Sequence, residues 1–152
     1  MRGSIYDDVE IIGGVSLPPQ SFSGSTAVDG SSVNTTGYTD AAIHAYGAEA
    51  TGSPSAATLV VTLQESTTGT SGWTNALDNT GTVIGFTLNC ESALAENLAR
   101  IEGLNLNRHQ YLRAVITPAF TGGSSPAILG FAEIIMGGPA QQLPTDTATS
   151  NT

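Results

Sequence analysis

The chain has 152 residues and a mass of 15.5 kDa, of which 39% are hydrophobic and only 11% charged, where an ordinary globular protein carries about a quarter charged. Length allows one domain with one core, and solubility has to rest on Ser, Thr, Asn and Gln. Four arginines (Arg2, Arg100, Arg108, Arg113) and no lysine stand against thirteen carboxylates, for a net charge of −9; this balance argues against nucleic-acid binding, which needs a basic patch to release counterions, and against anionic membrane surfaces.

Residues 1 to 22 combine the apolar Val9-Glu10-Ile11-Ile12 with Gly13-Gly14 and Leu17-Pro18-Pro19. Proline rejects helix interiors and central strands, so this stretch reads as an extended arm. The opening residues lack the apolar centre of a signal peptide and no run approaches the ~20 apolar residues of a membrane span, so the chain is expected to fold in a cytoplasm.

From Ser23 to Gly138 short apolar segments alternate with turn clusters about every ten residues, the pattern of a β-sandwich or barrel with six or seven strands. Ala41 to Ala48 supplies a first fair strand. Thr58 to Glu65 is the clearest, because Leu59, Val61 and Leu63 alternate with Val60, Thr62 and Gln64. Val83 to Leu88 follows, and Glu91 to Leu98, with Leu94 and Leu98 four apart, has the residues of a helical turn. Tyr111 to Thr117 repeats the alternation with Leu112, Ala114 and Ile116. Ile128 to Met136 is nearly continuously apolar and predicts a central strand covered on both faces. Turn clusters fall at residues 28–31, 36–38, 52–54, 68–72 and 122–126, each rich in residues that tolerate positive φ or preset a bend. Beyond Pro139 the tail, 139 to 152, is almost devoid of apolar residues, a composition expected to be disordered in isolation.

The supply of catalytic groups is thin. His44, His109, Cys90 and the carboxylates fall into no spacing typical of a dyad or a metal centre, so neither catalytic nor metal-ligating residues are assigned and no cofactor is expected. A single cysteine forms no internal disulfide and does not hold a structural zinc by itself, and nothing around Cys90 lowers its pKa toward reactivity. The turn Asn105 to Gln110 gathers Arg108 and His109, with Arg113 just beyond. Two readings apply: a polar hairpin tip whose arginines pair with neighbouring carboxylates, or an arginine contact onto an acidic patch of a partner. Trp73 follows a Gly-rich turn and is expected to pack under its own loop, to stack on a sugar ring or to plug a neighbour's groove.

The succession Val33-Asn34-Thr35-Thr36-Gly37-Tyr38, a strand, Val61-Thr62-Leu63-Gln64-Glu65-Ser66, Gly72-Trp73, then Tyr111-Leu112-Arg113-Ala114-Val115-Ile116 and the apolar run closing at Gly137-Gly138-Pro139 resembles a family of small phage structural proteins. The match spans about residues 26 to 140. Asn34 stands where the family has an acidic residue, and Ser66-Thr67-Thr68 lacks its acidic pair, which speaks against any cation site of the family.

What the resemblance implies is a virion role as a capsid decoration or cement protein: an all-β, jelly-roll-like sandwich at residues 23–138 between arm and tail, made in the host cytoplasm and seated on the capsid surface. Its expected partners are the major capsid protein and itself, as a homotrimer first and a dimer second. Candidate contacts are Val9, Ile11, Ile12 and Leu17 on the arm, Arg108, His109 and Arg113 at the hairpin, and Pro139 and Leu143 on the tail. The rival readings are a receptor- or carbohydrate-binding head-fibre module using Trp73, Tyr38 and Tyr46, and another virion part such as a tail or head-completion protein.

Overall fold

Alternating apolar residues need a second sheet to cover them, and the fold provides it. The computed structural model describes residues 14–91, 98–105 and 110–139, and among these there are ten strands and no helix. They are β1 (Gly14–Ser23), β2 (Val28–Asp29), β3 (Val33–Asn34), β4 (Tyr38–Gly47), β5 (Ala56–Ser66), β6 (Thr74–Asn75), β7 (Gly85–Asn89), β8 (Leu98–Asn105), β9 (Tyr111–Thr121) and β10 (Ala127–Pro139).

One sheet has the order β1-β10-β4-β8. The other has the order β2-β9-β5-β6, with β3 also on β9 and β7 also on β5, so its two edges are each broken into two short pieces. The expected six or seven strands become ten segments, because β1 falls in the stretch expected as arm and turns at residues 30–32 and 76–84 each break an edge strand in two. The chain passes from one sheet to the other between β1 and β2, β3 and β4, β4 and β5, β7 and β8, β8 and β9, and β9 and β10.

Between the sheets lie Leu59, Val61 and Leu63 of β5, Leu112, Ala114 and Ile116 of β9, Ile43 and Ala45 of β4, Ile128, Ala132, Ile134 and Met136 of β10, and Phe22 and Leu17 of β1. Full burial of a Leu, Ile or Phe side chain contributes about 1.5–3 kcal/mol, so this layer supplies the main driving force. The sheets approach closely at Gly47, where an added Cβ would stand 2.6 Å from Cys90 Sγ and 2.9 Å from Leu59 Cδ1.

Three expectations need correction. Residues 14–22 are not arm: β1 pairs with β10 from Gly14↔Ile134 to Ser23↔Ala127. Its prolines are tolerated because β1 is an edge strand whose register shifts on either side of Leu17. Leu17, expected to face a partner, is 2% exposed and belongs to the core. Finally β10 is interior to its sheet, between β1 and β4, yet among the described residues no layer covers its outward face, where Leu129 is 57% exposed and Phe131 and Ile135 are half-buried. The helical expectation for Glu91 to Leu98 falls on residues 92–97, outside the described residues, with Leu98 opening β8.

Candidate interaction surfaces

On the outward face of the β1-β10-β4-β8 sheet, cross-strand register sets Phe131 opposite Tyr46, Glu133 opposite His44 and Ile135 opposite Ala42. The rings of Tyr46 and Phe131 lie 5.9 Å apart at 30°. Leu129 extends this row at one end, and Val15 of β1, on the neighbouring edge strand, is 50% exposed. The titratable groups described within the row, His44 Nδ1 and a Glu133 carboxylate oxygen, stand 3.5 Å apart and face each other. The strip is therefore apolar and aromatic with one internally matched polar pair, on a protein otherwise dressed in hydroxyls and carboxylates.

Arg113 sits on the outward face of the other sheet. Its Nη2 lies 3.0 Å from Asp29 Oδ2. Its Nε and Nη2 donate to Gln64 Oε1 at 2.9 and 2.7 Å, and its guanidinium lies 4.5 Å from the centroid of the Trp73 ring. Gln64 Nε2 in turn donates to Asn75 Oδ1 at 3.3 Å. The arginine is thus engaged by β2, β5 and the loop before β6 of its own chain, while Arg108 lies outside the described residues. Trp73 carries the guanidinium of its own chain on its face, a geometry worth about 0.5–2 kcal/mol.

Register brings several of the expected contact segments to one end of the sandwich. Pro139 pairs with Tyr38, and Asn105 pairs with Asp40. Thr35 N donates to Gln110 O at 2.8 Å, and Gly14 lies against Val33. The stretches 1–13, 106–109 and 140–152 continue from these positions. Val9, Ile11, Ile12, Arg108, His109 and Leu143 lie in them, outside the described residues.

Sequence reasoning missed Ser16. It is fully buried, accepts a hydrogen bond from Ala114 N at 2.9 Å and donates to Ser31 O at 3.0 Å. Gly30 completes the joint: its N–H donates to Ala114 O at 2.8 Å, and an added Cβ there would stand 2.6 Å from that oxygen. One hydroxyl thereby ties β1 to β9 across the two sheets. A serine amid Val15 and Leu17 was the signal available, and it does not by itself name its partners.

For chemistry the described residues offer little. No group of three His, Cys, Asp or Glu among them could hold a metal ion. His44 has a carboxylate neighbour but stands on an open sheet face. Cys90 is buried, and burial pushes its thiol up to about 11. Asp78 is held below the usual carboxylate range, first by the Thr80 hydroxyl and then by the N–H groups of Thr82 and Thr80. That bonding closes a hairpin turn.

No family model matches the chain, and no curated protein matches it. Among solved structures it is similar to a chain from Desmodium yellow mottle tymovirus, with 12% identity, coverage of 95% of this chain and 97% of that one, and a TM-score of 0.33. Function has to be read from the residues of this chain.

Proposed function

We propose that this protein is a virion component that works by covering surface, most specifically a phage capsid decoration or cement protein bound to the outside of the major capsid protein shell. One observation carries the reading: apart from Glu133, β10 is apolar on both faces, and its outward residues Leu129, Phe131 and Ile135, joined by Tyr46, have no covering layer among the described residues. A row of exposed and half-buried apolar side chains on a small acidic protein points to an interaction site, and a β-sandwich lays such a row flat against a partner. The strand orders β1-β10-β4-β8 and β2/β3-β9-β5-β7/β6 support a jelly-roll reading, a two-sheet architecture used by viral capsid and lectin domains. A homotrimer on the shell would multiply each weak contact.

The test is occupancy on purified particles. Leu129→Asp combined with Phe131→Asp places two charges on an outward face, so the variant is expected to fold with unchanged far-ultraviolet circular dichroism and to lose at least tenfold in retention on shells after dilution. Retention equal to that of the unaltered chain would remove this face from the proposal.

A further inference from the structure

At the end of the sandwich opposite Gly14 and Pro139, the two sheets part to form an open cleft of about 510 Å³. Its floor is Phe120, packed on its inner side against the core, with Pro126 beside it. Ser23, Ser25 and Ser125 also line it, and no charged residue does among the described residues. Among the described residues no hydrogen bond engages those three hydroxyls.

The loops around this mouth are held in an uncommon conformation. Ser53 and Ser125 are the non-glycine residues with positive φ, at 51° and 47°. Their loops are locked together, with Ser124 N donating to Gly52 O at 2.8 Å and Thr51 N donating to Ala127 O at 2.9 Å. Left-handed serines are strained and persist where surrounding structure fixes them, which is a feature of ligand-binding loops.

From these observations we infer that the cleft is a binding site for a neutral saccharide, one pyranose ring stacking on Phe120 while its hydroxyls bond to Ser23, Ser25 and Ser125. Volume fits, since small-molecule sites run to ~300–1,000 Å³. The chemistry fits as well. An aromatic floor takes the C–H face of a sugar ring, and serine hydroxyls both donate and accept, as sugar hydroxyls do. A charged ligand has no counter-charge in the lining, and an anion is further opposed by the net charge of −9. The cleft borders the Leu129 end of the apolar strip but is lined by other residues, and the inference does not depend on the strip.

The experiment is a two-dimensional NMR titration of the full chain with the methyl glycosides of glucose, galactose, mannose and N-acetylglucosamine. At least one is expected to give saturable shifts of the Phe120 and Ser125 amides, with a Kd on the order of 1 mM. Ser25→Glu, at an exposed position, and Phe120→Ala are each expected to weaken binding at least tenfold; should Phe120→Ala fail to fold, Ser25→Glu decides alone. No saturable shift with any glycoside up to about 100 mM, a 100-fold excess over that constant, overturns the inference. So does saturation confined to Trp73 or Tyr46, or undiminished affinity in Ser25→Glu. Capsid occupancy of Ser25→Glu is expected to be normal, so loss of sugar binding and loss of shell binding report on different faces.

Discussion

Ser16 shows how one side chain can fix the relation of two sheets. Its hydroxyl satisfies the buried Ala114 N and the partly buried Ser31 O. Removing it in Ser16→Ala strands a buried donor and an acceptor, which costs about 1–3 kcal/mol; urea unfolding should show that loss with an unchanged slope. Cys90 offers a second test, through pH. Its folded pKa is raised from 9.0 to about 11 by burial, so the folded state resists ionisation that the unfolded chain accepts. The stability this represents is complete below about pH 9 and is lost as pH climbs toward about 11. Unfolding measured across that window should fall more steeply for the unaltered chain than for Cys90→Ala, and at pH 8.5 iodoacetamide should label the thiol only in denaturant. The inertness of Cys90 was legible in its neighbours Leu88-Asn89 and Glu91, whereas the partners of Ser16, 15 and 98 residues away along the chain, were not.

Strands with one covered face declared themselves by alternation. Thr58 to Glu65 and Tyr111 to Thr117 became the cores of β5 and β9, paired in register from Ala56↔Thr121 to Ser66↔Tyr111. β1 was hidden by Pro18-Pro19, because a proline signal does not distinguish an arm from a bulged edge strand. β10 misled in another way: a run apolar on both faces reads as buried on both, and the described residues bury only one. Arg113 joins elements far apart in sequence, and sequence could offer only its pairing, not the choice of Asp29, Gln64 and Trp73 as partners. Arg113→Ala should cost about 1–2 kcal/mol, combining an ion pair, hydrogen bonds and a cation–aromatic contact, each discounted for partial exposure. Arg113→Lys should recover less than half of it, because an ammonium does not reproduce the fork onto Gln64. Thermal unfolding followed by Trp73 fluorescence measures both.

Taken as a whole, the molecule is a two-sheet body with a built interior and an incompletely covered exterior. Its all-β class was readable from turn spacing and low charge, since period-two alternation and Gly-rich punctuation act locally. Its proposed interaction face was not, because exposure of the Leu129 row follows from which sheet β10 enters and from the absence of a covering layer among the described residues. An image reconstruction of the particle, carried to side-chain detail, is the decisive measurement. The account predicts hundreds of copies on the outer shell with Leu129, Phe131, Ile135 and Tyr46 turned onto the capsid protein. Particles lacking the chain, or carrying it with that row open to solvent, would contradict it.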